Sequence, residues 1–340
     1  MPNYLGLDAG GTKTFCLVGD DTGAVLGFGR AGTGSYEYDG VEAAAVENKR
    51  AVDAALAEAG LTLADISAIG MGVAGADVPE DYAMLERELY TPLFGDIPRA
   101  FRNDSMAGLR GGLREPFGIV VACGTGCVCA GRNRNGDETR VGGLGEPFGD
   151  MTSGSSLGRD ALQAVWRSRD NILPPTLLTE LLLERSGCAD LDAFFYARYR
   201  GELPDSDLEP IAPLLFEAAG KGDSVACDIL ERHGAYLGMM ANGAARRLRM
   251  EMDAFKVVMA GSVFKGTALS PVLADAMRTA LRRVCPKAET VMPMFEPVVG
   301  ALLMGMEHEL TISEAVYDNL SQQLKEAEAR HGVAFQSSTA

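Results

Sequence analysis

The chain has little histidine, no long apolar run and no excess of positive charge, and each shortage removes a class of function. Its three histidines, His233, His308 and His331, lie outside every motif. Nothing in their spacing suggests a zinc site or a Ser-His-Asp triad. No apolar stretch approaches the roughly 18 residues that a membrane span requires. A net charge of −16 argues against nucleic acid or an anionic membrane as a partner. Seven cysteines, an odd number, are scattered through predicted core elements, which suits free thiols in a reducing compartment. The N-terminus lacks a basic region ahead of its first strand, so a cytoplasmic protein is expected. Only Met1-Pro2-Asn3 precede that strand, so a helix-turn-helix ahead of it is not expected.

What remains has the composition of an ordinary globular protein, 47% hydrophobic and 23% charged. At 340 residues it is long enough for two domains with their own cores. Hydrophobic period and turn signals predict an antiparallel meander of three strands from Tyr4 to Phe28. A long helix over Val41–Ala59 follows, then a buried strand at Ile66–Val73, a helix over Pro79–Tyr90 and a strand at Arg99–Asn103. After Glu115-Pro116 the pattern restarts with strands at Ile119–Ala122, Cys127–Gly131 and Thr139–Val141. Five helical segments follow, between Ser155 and Met250 and including one over Leu208–Lys221. A strand at Phe255–Met259, helices over Leu269–Val284 and Pro297–His308, and a strand at Glu289–Met292 complete the second half. A peripheral helix from Ile312 and a fraying tail end the chain. Strands alternating with helices make this an α/β protein. The expected divisions are residues 1–115, 116–310 and 311–340.

Within that pattern, Leu5-Gly6-Leu7-Asp8-Ala9-Gly10-Gly11-Thr12-Lys13-Thr14 forms a strand, a glycine turn and the start of a second strand. Glycines permit positive φ and remove Cβ atoms that would hold an anion away from backbone N–H groups. Thr12, Lys13 and Thr14 add donors, so Gly10 to Thr14 are candidates for binding phosphate. Asp8, at the strand end, can organise Mg²⁺ through water or act as a turn residue. The Walker signature is absent and no helix follows the turn. Ile119-Val120-Val121-Ala122-Cys123-Gly124-Thr125-Gly126 repeats the plan. Two such hairpins, each opening its own half, suggest a duplicated fold holding nucleotide phosphates. Asp104 ends a strand and precedes Ser105-Met106-Ala107-Gly108, where a helix can start. It is a candidate general base, or alternatively the cap of that helix. Gly261-Ser262-Val263 follows an apolar strand and suits close passage of a flat adenine–ribose face.

Taken in order, Asp8 to Thr14, Asn103-Asp104-Ser105, Gly124-Thr125-Gly126 and Ala260-Gly261-Ser262-Val263-Phe264 resemble the sugar-kinase/Hsp70/actin superfamily. Within it they are most similar to the N-acetylglucosamine kinase and BadF/BadG/BcrA/BcrD ATPase branch, over residues 4 to 308. The resemblance implies two ribonuclease-H-like (actin-like ATPase) domains around a central cleft that closes on sugar, with ATP and Mg²⁺ as cofactors and a homodimer. It implies that Asp104 accepts the proton of the attacking sugar hydroxyl. Asp104, Ser35, Ala74, Gly75, Thr125 and Asp150 are the implied sugar contacts. As an alternative role, Asp150 can cap the helix that begins near Ser155.

The chain departs from that pattern at three places. It has Ser35 where the family often has Asn, Leu144 near a common Trp, and Met151 where an acidic residue usually follows Gly-Asp. The expected activity is ATP-dependent phosphorylation of a hydroxyl of a hexose or amino sugar, at O6, such as N-acetylglucosamine or glucosamine. The alternative is an ATPase activator of a dehydratase, a branch in which an iron–sulfur cluster is held between subunits. Cys123, Cys127 and Cys129 straddle the second phosphate turn, where a cluster would collide with nucleotide. Small core thiols are the simpler reading.

Overall fold

The computed structural model describes residues 1–203 and 210–336. Residues 204–209, where the predicted helix over Leu208–Lys221 begins, and the last four residues of the tail lie outside the described part. In chain order the strands are β1 (Asn3–Ala9), β2 (Thr14–Asp20), β3 (Val25–Ala31), β4 (Ile66–Val73), β5 (Arg99–Asn103), β6 (Gly118–Cys123), β7 (Cys127–Arg132), β8 (Glu138–Gly142), β9 (Lys256–Ala260) and β10 (Glu289–Val291). The helices run from α1 (Tyr36–Ala59), α2 (Pro79–Leu85), α3 (Thr91–Phe94) and α4 (Asp104–Gly112) to α5 (Gly154–Arg169), α6 (Leu178–Ser186), α7 (Leu191–Tyr199) and α8 (Ala212–Gly220). They continue with α9 (Ser224–Leu248), α10 (Ser262–Lys265), α11 (Val272–Arg282), α12 (Pro297–Met306) and α13 (Glu314–His331).

The chain forms two compact units, one of Met1–Val120 with the described chain from Met292 onward, the other of Val121–Val291. This differs from the linear division at 115/116 and 310/311, and the sheet of the first unit gives the reason. Its strand order is β3-β2-β1-β4-β5, with β1–β2–β3 antiparallel and β4 and β5 parallel to β1. Side chains alternate across β1 and β2 with period two. Leu5, Leu7, Ala9, Cys16 and Val18 pack in a cluster with Ala51, Val52 and Ala55 of α1. Tyr4, Phe15 and Leu17 face the opposite cluster, which holds Val298, Val299 and Leu302 of α12 and Tyr317 and Leu320 of α13. Glycines set the approach of α12. A Cβ on Gly6 would overlap the backbone of Leu302, and one on Gly70 would overlap the Ala301 carbonyl. The helix therefore lies directly on β1 and β4, and the last segment completes the core of the first.

In the second unit the order is β10-β9-β6-β7-β8, with β7–β8 antiparallel and β9–β10 parallel. It repeats the plan of the first sheet, a meander carrying parallel strands on one side. The long helix α9 packs on α11, where Gly234 and Gly238 admit the backbone of Leu273 and Met277. Several boundaries differ from the sequence expectation, among them the starts of α1 and α11. Ser35 caps α1, which starts at Tyr36 and breaks at Gly40 (φ 83°) before continuing through Val41. A short 3₁₀ turn at Gly266–Ala268 and Pro271 delay α11 to Val272.

Candidate active site

In the first unit the candidate residues gather at the carboxyl ends of the parallel strands, where open α/β sheets bind ligands. The turn after β1 is closed by Gly10 N–H donating to the Lys13 carbonyl at 3.0 Å. Neither Gly10 nor Gly11 has a positive φ, contrary to the sequence reading. Glycine is needed there for space. A Cβ on Gly10 would stand 2.9 Å from the Lys13 carbonyl oxygen, and one on Gly11 would stand 3.0 Å from the ring of Tyr38. The segment before α1 straps the turn down. Gly34 N–H donates to the Gly10 carbonyl at 3.0 Å, and Thr33 Oγ1 donates to the Gly11 carbonyl at 3.2 Å. Buried Asn48 fixes that strap through Nδ2, which donates to the Gly34 carbonyl at 3.0 Å.

Thr12 and Lys13 are exposed on this turn, and Lys13 Nζ stands 4.3 Å from the centre of the Phe15 ring. Thr14 is different. It is fully buried, and its hydroxyl donates to the Gly32 carbonyl at 2.8 Å. The hydroxyl holds β2 to β3 and is not presented at the surface, which corrects its place among the phosphate donors.

Asp8 lies on β1 opposite Gly72 and is part-buried. Burial, reinforced by the negative charge of Asp104, pushes its carboxyl up from 3.8 to about 7. Lys13 opposes that shift and Glu296, at the start of α12, adds to it. Asp104 is the first residue of α4, and the cap ahead of it is Asn103. Asn103 Oδ1 accepts from Ser105 N–H at 3.1 Å, while Nδ2 donates to Asp77 Oδ1 at 2.9 Å. The capping role is therefore filled by the neighbour, and Asp104 sits in the first turn, where the helix dipole favours a carboxylate. Ala74 N–H donates to the Ala9 carbonyl at 2.9 Å, placing Ala74 and Gly75 on the same rim as Asp8. Gly75 has φ +82°, and a Cβ there would meet the Glu37 side chain at 2.9 Å. Ser35 is buried as the N-cap of α1, its Oγ accepting from Glu37 N–H at 3.4 Å.

In the second unit the turn between β6 and β7 is closed by Gly124 N–H to the Gly126 carbonyl at 2.8 Å, with Thr125 and Gly126 exposed. The Gly124 carbonyl accepts from Gly154 N–H at 2.6 Å, so the turn is docked on the N-terminus of α5. Gly261 (φ +98°) passes so close to Cys123 that a Cβ would overlap its carbonyl. The structure thus brings Gly124, Gly261 and Ser262 together. Val263 points into the core, so its side chain is withdrawn from any adenosine face. Asp150 accepts from the N–H groups of Gly143, Leu144 and Gly145 at 3.2, 2.7 and 2.6 Å. Its carboxylate ties this glycine loop together, and Ser153, not Asp150, caps α5.

Sequence reasoning missed three of these residues. Glu296 comes from a distant segment, although an acidic residue ahead of Pro297 was a legible helix start. Glu37 lies ahead of the helix expected from Val41, and it enters the first turn only because α1 begins at Tyr36. His233 was read as an ordinary helix residue. It is buried beside a cavity of about 280 Å³, with Nδ1 3.0 Å from Thr152 Oγ1 and Nε2 3.1 Å from Asp160 Oδ2. The hydrogen bond to His233 holds the Asp160 carboxyl below its ordinary range, opposed by burial.

A divalent cation fits the first unit. Asp8 and Asp104 repel one another, and a hard cation would relieve both. Among the described residues no three His, Cys, Asp or Glu side chains form a complete metal cage. Magnesium commonly takes only one or two carboxylates together with substrate phosphates.

The sequence profile described as the BadF/BadG/BcrA/BcrD ATPase family matches residues 5–305. The chain belongs to that family. It is 27% identical to the N-acetyl-D-glucosamine kinase of Dictyostelium discoideum, over 89% of this chain and 97% of that one. It is also 27% identical to the N-acetylmuramic acid/N-acetylglucosamine kinase of Clostridium acetobutylicum, over 90% and 98%. A solved structure from Chromobacterium violaceum, 25% identical, superimposes with a TM-score of 0.68 over 89% of this chain and 99% of its own. Among the described residues no helix is long and apolar enough to cross a membrane.

Proposed function

We propose that this protein is an ATP-dependent kinase that transfers the γ-phosphoryl group to a hydroxyl, O6, of a hexose or amino sugar such as N-acetylglucosamine or glucosamine. The observation that carries this reading is the Asp8–Asp104 carboxylate pair beside a glycine turn at the carboxyl end of the first sheet. The sugar-kinase names of the relatives support it. Phosphoryl transfer needs a positioned nucleophile and neutralised charge more than covalent chemistry by the protein. Asp104 accepts the proton of the attacking hydroxyl. Asp8 is the principal ligand for Mg²⁺, with Asp104 beside it, and the ion supplies charge neutralisation at the transferred phosphate. In the first unit the Gly11 N–H, with Thr12 and Lys13 on the turn that Gly10 closes, is the phosphate-binding group. In the second unit the turn of Gly124, Thr125 and Gly126, docked on the N-terminus of α5, is the corresponding element. Gly261 and Ser262 provide backbone and hydroxyl to the adenosine. Within the first unit Ala74, Gly75 and Asp104 are the sugar-contact residues, with Ser35 shaping the rim as a cap. Within the second unit, described by itself, Thr125 and Asp150 are the corresponding residues.

The test is ADP release with Mg·ATP across a panel of hexoses, amino sugars and cyclitols, in wild type and in Asp104→Asn. Strong stimulation by one sugar is expected. The variant should retain ATP binding and lose roughly 10²–10⁴-fold in turnover, the usual contribution of a general base. Hydrolysis indifferent to every sugar, or a fully active variant, would remove the proposal.

A further inference from the structure

The cysteines around the second glycine turn are the one sequence motif that phosphoryl transfer leaves unused. The hydrogen bond from Gly124 N–H to the Gly126 carbonyl sets those residues opposite one another, so Cys123 and Cys127 face each other on the next rung. Hydrogen-bonded and non-bonded rungs alternate in an antiparallel pair. The 123/127 rung is thus non-bonded, with Cα atoms about 4.5 Å apart and both side chains on one face. That spacing lies within the range a disulfide spans. The Cys123 thiol hydrogen-bonds to Cys127, and Cys127 Sγ lies 3.8 Å from Met240 Sδ on α9. Both thiols thus lie on the face turned toward α9. Cys129 lies on the same face, but two residues along the same strand its Cβ runs parallel to that of Cys127 and does not face it.

We propose that Cys123 and Cys127 are a modification site, a cross-strand dithiol that a hydroperoxide converts reversibly to a disulfide at the base of the glycine turn. Cys127 is 5% exposed and Cys123 0%, so Cys127 meets the oxidant first. Its thiol loses a proton and its sulfur attacks the peroxide oxygen. The O–O bond breaks, and a sulfenic acid and one water result. Cys123 Sγ then attacks that sulfur, the S–S bond forms, and the hydroxyl leaves with the Cys123 proton as a second water. Two electrons pass from the thiols to hydrogen peroxide. The hydrogen bond to Cys127, followed by burial, pushes the Cys123 thiol well above its usual range, consistent with its serving as the resolving and not the attacking thiol.

The whole protein is treated with hydrogen peroxide, alkylated and digested with trypsin without reductant. Arg114 and Arg132 bracket a peptide holding Cys123, Cys127 and Cys129. It should lose two hydrogens and keep one alkylatable thiol, at Cys129, and a dithiol reductant should restore all three. Cys129→Ser should still form the link, whereas Cys127→Ser should not, with unchanged melting temperature as the folding control. Cys188 and Cys227, which are more exposed, calibrate the oxidant. Three alkylatable thiols in this peptide when Cys188 and Cys227 are oxidised, or a link to Cys129, would overturn the proposal.

Discussion

Replacing Asp8 by Asn should stabilise the empty protein at pH 8 and leave it nearly unchanged at pH 4. The Asp8 carboxyl is raised from 3.8 to about 7 by burial and by Asp104. An acid raised in the fold binds its proton more tightly there than in the unfolded chain. Its contribution is fully present below about pH 4 and is lost as pH rises through about 7. At about 1.4 kcal/mol per pH unit, the full loss is about 4 kcal/mol, an upper limit because unfolded chains are not fully solvated. Asparagine has nearly the shape of the protonated acid and no charge to desolvate, so the variant escapes the loss. Thermal melts at pH 4 and pH 8, without nucleotide or Mg²⁺, read this directly. A gain of several degrees at the higher pH only is the expected result. The same variant should lose the stabilisation that Mg·ATP gives wild type and should be inactive as a kinase. Equal changes at both pH values, or a variant less stable at pH 8, would refute the argument that the site holds two mutually repelling carboxylates.

Two further substitutions separate structural from ligand-binding roles. Thr14→Val removes the hydroxyl that holds the Gly32 carbonyl. It should cost about 1–3 kcal/mol in urea unfolding and leave the affinity for Mg·ATP within about twofold, whereas a phosphate donor would show the reverse pattern. Gly261→Ala forces a Cβ onto the Cys123 carbonyl at φ +98°. It should destabilise by at least about 1–3 kcal/mol and weaken nucleotide binding together with folding. A stable variant with normal binding would show that the second turn tolerates a shift in Gly261.

Much of the architecture was legible because each half announces itself by local chemistry. A buried strand, a glycine turn and a second strand recur at Asp8–Thr14 and Cys123–Cys127, and both hairpins form. Asp104 was legible as the residue at a strand-to-helix junction, but its neighbour Asn103 turned out to be the cap. The choice between two adjacent polar residues depends on backbone angles that the sequence does not carry. The glycines at 10 and 11 were read for conformational freedom, although contact with Lys13 and Tyr38 is what excludes a side chain. Thr14 and Val263 were read by proximity to a motif, and each is claimed by local packing instead, while the alternative role of Asp150 as a cap falls to Ser153. Glu296 and α12 belong beside Asp8 because of glycines at 6 and 70, a long-range fit invisible to any window of neighbouring residues.

The return of α12 to the first sheet has a consequence for biosynthesis. The face of β1 and β2 bearing Tyr4, Phe15 and Leu17 is covered by a segment made only after the whole second unit. The ribosome needs on the order of ten to thirty seconds to add the roughly 175 residues between Val120 and Pro297. During that interval the nascent sheet has an uncovered apolar surface with no native partner yet in existence, a natural client for a chaperone. The second unit has all its own strands by Val291 and can fold first. A protein whose N-terminal strand anchors the fold would then mature from its middle outward.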